Sequence, residues 1–157
     1  MKRGWAIRRA GFWDPATAVD TVVLDADDRY RRRIVLSGQS GAEFLLDLDE
    51  AVALRHGDGV MLDDGGIVLV TGQPESLVEV APRSPLALVQ LAWHLGNRHT
   101  DVQIVGNRIR IRRDHVLEQM AAGLGANVTP IDAAFDPEQS APQDHSHSHE
   151  HEHAHGG

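Results

Sequence analysis

Cysteine is absent from this 157-residue chain. The protein can therefore form neither a disulfide nor a thiolate metal site, and any bound metal ion must be held by imidazole nitrogen and by oxygen. No apolar run approaches the ~20 residues that span a bilayer, and the first residues lack the apolar stretch of a signal peptide. From these absences we expect a cytoplasmic protein without soft-metal cages.

Basic residues are also fewer than acidic ones, which gives the chain a formal net charge of -8. Nucleic acids and anionic lipids are held mainly by Lys and Arg, so this balance argues against both and favours a cation or a positively charged partner. Histidine is the anomaly, because the chain has ten and six of them fall between His145 and His155. The composition therefore directs attention to the C-terminal end.

The first part of the chain predicts a small all-β domain over residues 1–73. Turn residues between short apolar runs predict two β-hairpins, which pair 33–36 with 43–48 and 59–62 with 67–70. Gly72-Gln73-Pro74 indicates the connector out of this domain, because proline cannot donate a hydrogen bond to a sheet.

Residues 74–138 predict a ferredoxin-like domain with the order βαββαβ, an antiparallel sheet and both helices on one face. Ser84 is expected to cap a helix that runs to about Leu95, and Asp114 to cap one that ends at Gly125. The strands are expected at 77–80, 102–105, 108–112 and 126–131. The predicted fold class is therefore α+β, a small all-β domain followed by a ferredoxin-like domain.

Both predicted helices carry apolar residues at helical spacing. The first has one stripe of Leu86, Val89 and Trp93 and a second stripe of Leu88, Leu91, Ala92 and Leu95. A helix with so little polar surface must be buried on more than one side. In the second helix, the side chains expected to face inward are Val116, Leu117, Met120 and Leu124.

Residues 139–157 predict a disordered, histidine-rich tail, because nothing apolar remains to offset the entropy of ordering it. Its histidines alternate with small or acidic residues, at His145, His147, His149, His151, His153 and His155. Neutral imidazole binds nickel, copper and zinc, and nearby carboxylates add oxygen donors. The pattern predicts metal binding without selecting the metal. An engineered purification tag is the alternative, although such a tag is normally an unbroken histidine run.

Three histidines of the second domain are further candidate ligands. His99 lies in the loop after the first helix, His94 lies on that helix, and His115 begins the second helix. A lone histidine in a loop is usually a surface residue, so the residues by themselves do not single out a ligand.

A family resemblance distinguishes among them. Trp93-His94-Leu95-Gly96-Asn97-Arg98-His99, followed by Gln103-Ile104 and Asp114-His115-Val116-Leu117, resembles the core signature of the urease accessory protein UreE family. Phe135-Asp136-Pro137-Glu138, the histidine-rich end and the β-rich first half are similar to the same family. The resemblance covers essentially the whole chain.

The resemblance implies a homodimeric nickel metallochaperone, with zinc or copper as other metals bound in vitro. It implies that His99 meets its twin across the two-fold axis to bind nickel, which is then delivered to the urease apoprotein with the help of an accessory GTPase. One imidazole cannot hold a divalent metal against water, whereas a symmetric pair with tail ligands can. His94 and His115 are additional candidates, and the N-terminal domain is expected to bind a partner or peptide.

Two departures from the family pattern limit what is carried over. Arg112 and Arg113 occupy the stretch where some members have a further, peripheral metal-binding histidine. Gln139-Ser140-Ala141 stands where the family often has Gly-Ala-Tyr. Neither that accessory site nor those contacts are expected here.

Three other functions compete with metal delivery. No phosphate loop, nucleophile elbow or His-Glu-x-x-His zinc helix is present in the sequence, which argues against an enzyme. A nucleic-acid binder would rest on arginines 31–33 and on Arg108, Arg110 and Arg112, but those strands lack aromatics for base stacking. The closest rival is a histidine-rich protein that stores or buffers nickel or zinc without delivering it.

Overall fold

The computed structural model describes residues 1–139, and the six tail histidines lie outside this range. Its first part is a single six-stranded sheet that curls around one apolar core. The strands are β1 (Lys2–Arg8), β2 (Asp20–Leu24), β3 (Tyr30–Ser37), β4 (Glu43–Ala53), β5 (Gly59–Leu62) and β6 (Ile67–Gly72), with a 3-10 turn at Pro15–Thr17. Along the sheet they follow the order β2-β6-β5-β1-β4-β3. Both predicted hairpins are confirmed as the antiparallel pairs β3–β4 and β5–β6.

The second part is a four-stranded sheet with two helices. Its elements are β7 (Glu75–Ala81), α1 (Pro85–Asn97), β8 (Gln103–Val105), β9 (Arg108–Arg112), α2 (His115–Gly123) and β10 (Asn127–Ala133). The strand order is β10-β7-β9-β8, and all three neighbouring pairs are antiparallel. The predicted helix caps are confirmed: the Ser84 side chain accepts from Ala87 N–H and the Asp114 side chain from Leu117 N–H.

Both helices pack on one face of this second sheet. The sheet contributes Val78, Val80, Ile109 and Ile111, and the helices contribute Leu91, Leu95, Leu117 and Ala121, all buried in one cluster. The stripe of Leu88, Leu91, Ala92 and Leu95 therefore faces the sheet. The other stripe is exposed in the single chain, with Leu86 and Val89 each 65% exposed and Trp93 64% exposed.

The prediction that Val116 faces inward was wrong, since its side chain is 59% exposed. Leu117 and Ala121 are the buried positions of α2. Val116 lies one residue before Leu117, which is about 100° around the helix, so it faces away from the sheet. Met120 and Leu124 pack partly buried against the cluster, as predicted.

The opposite face of the second sheet contacts the N-terminal domain. Leu77 and Phe135 are fully buried there with Ala26 from the turn between β2 and β3. Next to them lies Arg29, a buried guanidinium that is only 2% exposed. Within residues 1–139, no helix is both long and apolar enough to cross a bilayer.

Candidate metal centre

His99 lies where α1 ends, and its backbone conformation is unusual. Its φ is 55°, and it is the only non-glycine residue with positive φ in the described part of the chain. Its N–H donates to Gly96 C=O at 3.1 Å, and the N–H of Thr100 donates to Leu95 C=O at 3.2 Å. These two bonds define the Schellman motif that closes many helices, in which glycine normally occupies the left-handed position.

A histidine in this position carries an energetic cost. The left-handed conformation brings Cβ close to the backbone and costs an L-residue roughly 1–2 kcal/mol. Strained non-glycine residues of this kind concentrate at functional sites, where the side chain matters more than the backbone. The His99 ring is exposed at the surface. The geometry therefore presents an imidazole on a fixed turn at the end of a helix.

The two other candidate histidines have different surroundings. His94 is half-buried on α1, and its ring stacks edge-on against Trp93 with 5.1 Å between the ring centres. His115 is exposed at the start of α2, where its Nε2 lies 3.2 Å from the side-chain nitrogen of Gln119. His94 and His99 thus share one end of α1, whereas His115 is the first residue of the other helix.

No three His, Cys, Asp or Glu side chains within residues 1–139 lie close enough together to hold a metal ion. His99 is therefore not part of a preformed group of three such side chains in this part of the chain.

Asp101, two residues after His99, is engaged in an ion-pair network. Its carboxylate accepts from Arg112 Nη1 at 2.9 Å, and the same guanidinium reaches Glu75 at 3.2 Å and Asp27 at 3.1 Å. Burial disfavours the charged guanidinium, but these carboxylates outweigh it and raise the pKa of Arg112. Arg112, at a departure from the family pattern, thus fixes the loop that follows His99.

The arginines that suggested a nucleic-acid surface are largely matched by carboxylates. Arg108 and Arg110 both contact Glu79, and the hydrogen bond from Arg108 holds the pKa of the Glu79 carboxyl below its usual value. In the first sheet, Arg31 pairs with Asp28 and Arg33 lies 3.7 Å from Asp47. Paired arginines have less free charge to offer phosphates, which weakens the nucleic-acid alternative.

Sequence reasoning missed how firmly residues 135–138 are held. Asp136 accepts from Arg29 and from His56 N–H, and Glu138 N–H donates to Val102 C=O at 2.7 Å. In the sequence, Phe135-Asp136-Pro137-Glu138 is informative only as part of a family signature. Its contacts join elements far apart in the sequence, so no local pattern could reveal them.

Two family models match the chain. The model described as "UreE urease accessory protein, N-terminal domain" matches residues 6–72, and the one described as "UreE urease accessory protein, C-terminal domain" matches residues 75–156. Together they cover almost the whole chain and divide it at the connector between the two sheets.

Curated relatives carry the same name. A protein named "Urease accessory protein UreE" from Rhodopseudomonas palustris (strain BisB18) is 51% identical over 141 residues, or 90% of this chain and 66% of the relative. Its namesake from Bradyrhizobium sp. (strain ORS 278) is 54% identical over 82% of this chain and 61% of the relative. The one from Chelativorans sp. (strain BNC1) is 51% identical over 82% of both chains. The chain spans 58% to 66% of the length of four of the curated relatives that it matches, including the first two named above.

Proposed function

The chain belongs to the urease accessory protein UreE family, and from this membership we propose that it is a metallochaperone that delivers Ni²⁺ for maturation of the urease active site. The observation that carries the proposal is His99. His99 is the histidine of the Asn-Arg-His motif. It occupies a left-handed backbone position at which glycine would be more stable. Nickel is the cargo, and imidazole is a ligand that suits it.

The proposed nickel site is shared between two copies of the chain. The exposed stripe of Leu86, Val89 and Trp93 lies on α1, the helix that His99 follows. Apolar side chains at this spacing on an unpartnered helix fit a second copy of the same helix across a two-fold axis. Such a dimer brings the two α1 helices together, and with them two copies of His99.

The remaining parts have proposed roles that follow from this assembly. Residues 74–138 form the metal-binding and dimerisation domain, and the strand order together with helices on one face supports a ferredoxin-like fold. Residues 139–157 supply further imidazoles, and residues 1–73 contact a partner. Those partners are the urease apoprotein and an accessory GTPase, in the cytoplasm.

Nickel titration followed by mass measurement of the intact complex tests the proposal. Deleting residues 144–157 is expected to reduce the number of nickel ions bound while leaving about one ion per dimer. In that shortened chain, His99→Ala is expected to weaken the remaining site by on the order of 100-fold or more, because it removes both symmetry-related ligands. His56→Ala, an exposed histidine of the N-terminal domain that is not a candidate ligand, is the matched control and is expected to leave this site unchanged.

The pH dependence of the nickel affinity provides a second test. A free imidazole has a pKa of about 6.5 and must be neutral to bind metal, so protons compete with nickel as the pH falls through that range. Affinity that stays flat down to about pH 5 would show that carboxylates hold the metal. A shortened chain that binds no nickel at all would contradict the assignment of His99.

A storage or buffering protein for nickel or zinc is the second candidate function. It is favoured by the number of tail histidines, six against the single His99. Cells that lack this protein separate the two functions. If it delivers nickel, urease activation at limiting nickel depends on the unaltered chain and is lost with His99→Ala, although the tail is intact. A storage protein would retain most of its effect in that variant.

A further inference from the structure

The loop that follows β1 carries a highly exposed aromatic side chain. Phe12 is 79% exposed, which is the largest value among the large apolar side chains of residues 1–139. A single exposed apolar residue is common on protein surfaces, so exposure alone does not identify an interface. What distinguishes Phe12 is the way in which the backbone around it is held.

A buried carboxylate fixes this loop. Asp58 is only 1% exposed. Its side chain accepts from Arg9 Nη1 at 2.7 Å and from Ala10 N–H at 3.0 Å in the loop, and from Arg55 N–H at 2.7 Å in the turn at residues 55–58. A buried charge is costly unless it is paired and hydrogen-bonded. The bonds that stabilise this one tie the loop to the neighbouring turn.

Two further contacts hold the residues on either side of Phe12. The N–H of Phe12 donates to Arg9 C=O at 3.0 Å, which closes a turn, and Gly11 has a positive φ of 86° inside it. The indole nitrogen of Trp13 donates to Gly57 C=O at 3.2 Å. The Phe12 ring is therefore presented on a backbone that is already ordered. A segment that is ordered in advance loses little entropy on binding, and aromatic anchors dominate many interfaces.

The same corner of the domain carries arginines without a carboxylate partner, and we call residues 8–13 and 55–58 together the Phe12 tip. Arg8 and Arg55 are exposed, and neither forms a salt bridge within residues 1–139. Arg9 has a side chain that is 47% exposed, although it contacts Asp58. The formal net charge of the whole chain is -8. The Phe12 tip is therefore a basic site on an acidic protein.

We propose that the Phe12 tip is the surface through which the N-terminal domain docks a partner protein, with Phe12 inserted into an apolar pocket that is edged by carboxylates. The inference rests on the proposed function, which assigns partner binding to residues 1–73 without locating the contact. Arg8 and Arg55 supply the charge complementarity, because arginines at the rim of an interface attract an acidic surface. An anionic bilayer fits less well, because the chain as a whole is acidic and Asp14 exposes a carboxylate just beyond the tip.

Binding measurements with the two proposed partners, purified urease apoprotein and purified accessory GTPase, test the docking role. The unaltered full-length chain is expected to bind at least one of them. Phe12→Ser is expected to weaken that complex by about 30-fold or more, which is the loss typical of an interface anchor. Tyr30→Ser is the matched control and is expected to leave binding unchanged. Tyr30 is also an exposed aromatic followed by arginines, but Arg31 pairs with Asp28.

Charge reversal tests the rim separately. Arg8→Glu and Arg55→Glu are each expected to slow association by about fivefold and to make its rate less sensitive to salt. Arg31→Glu, at another exposed arginine of the N-terminal domain, is the control for charge and is expected to change neither quantity. Phe12→Ser is expected to keep the thermal unfolding midpoint of the unaltered chain, because the side chain that it removes is exposed.

Either of two binding results would overturn the docking role: Phe12→Ser binds both proteins as the unaltered chain does, or the unaltered chain binds neither. Phe12-dependent binding to vesicles of equal parts phosphatidylglycerol and phosphatidylcholine would overturn it in favour of a bilayer. A change in the oligomeric state of the chain alone on Phe12→Ser would overturn it in favour of a second copy. None of these results concerns the nickel site, whereas the proposed function fails if His99→Ala leaves that site intact.

Discussion

The two helices of the C-terminal domain are built alike but differ at one end and on one face. Both begin with a capping side chain and pack on the same face of the sheet. Both end in the same motif, since Gly125 N–H donates to Ala122 C=O at 2.9 Å and Ala126 N–H donates to Ala121 C=O at 3.1 Å. The left-handed residue is glycine in α2, with φ 84°, and His99 in α1, with φ 55°.

The difference shows that the end of α1 carries a residue that lowers stability, which we attribute to function. The end of α2 has the residue that the backbone geometry favours, whereas the end of α1 has an imidazole that the geometry disfavours. The exposed faces differ in the same sense, because α1 carries three large apolar side chains at helical spacing and α2 exposes Val116. Both departures occur on the helix that we propose to form the metal site.

The largest effect is expected on the exposed face of α1. Trp93→Glu would place two unpaired carboxylates in the proposed dimer interface and weaken association by about 3–5 kcal/mol. The Val116→Glu variant is the matched control, because Val116 is similarly exposed but lies on α2. Sedimentation velocity should show a monomer for the first variant and a dimer for the second. A dimer in both would mean that α1 is not the interface.

A smaller effect is expected when the end of α2 is made to resemble that of α1. Gly125→His would put Cβ into a left-handed residue and 3.0 Å from the Arg83 guanidinium carbon. We expect the free energy of unfolding to fall by about 1–2 kcal/mol, with no change in nickel binding. Urea denaturation of the metal-free protein measures the first quantity. An unchanged urea concentration at the unfolding midpoint would show that this motif tolerates a side chain at its left-handed position. The energetic cost inferred for His99 would then be contradicted.

The smallest effect is expected from the reverse exchange. His99→Gly relieves the left-handed strain but adds freedom to the unfolded chain, so the metal-free protein should gain about 0.5 kcal/mol. It should lose the tight nickel site at the same time. His94→Gly, inside α1, should instead lower the free energy of unfolding by about 1 kcal/mol. If His99→Gly also lowers the free energy of unfolding, the His99 side chain makes contacts that stabilise the fold.

Local patterns predicted much of this fold, and non-local pairing explains what they missed. The hairpins and helix caps follow from turn residues and from Ser84 and Asp114, whose effects reach only a few positions. The parallel pairs β1–β4 and β2–β6 join residues 42 and 48 positions apart in the sequence, such as Lys2 with Phe44 and Asp20 with Val68, so no single turn connects the paired strands. Only the folded chain reveals such pairs.

The candidate site likewise has features that the sequence predicted and features that it did not. The resemblance singled out His99, but its left-handed backbone was hidden, because the nearby glycine, Gly96, lies inside α1 instead of ending it. Arg29 follows Asp27 and Asp28 in the sequence and has the composition of an exposed turn. Its burial depends on residues at the other end of the described chain. Neither the burial of Arg29 nor its contacts with Phe135 and Asp136 could therefore be predicted from the sequence.

Arg29 also has a consequence for how the protein is made. Two of its acceptors, on Phe135 and Asp136, come 106 and 107 residues later in the chain. A ribosome adds roughly 5–20 residues per second, so the guanidinium is synthesised seconds before the carboxylate that neutralises it. Until then, Arg29 lacks the salt bridge to Asp136 that it makes in the folded chain. Completion of the N-terminal domain therefore waits for nearly the whole chain, and a protein truncated before residue 135 would expose this defect to proteases.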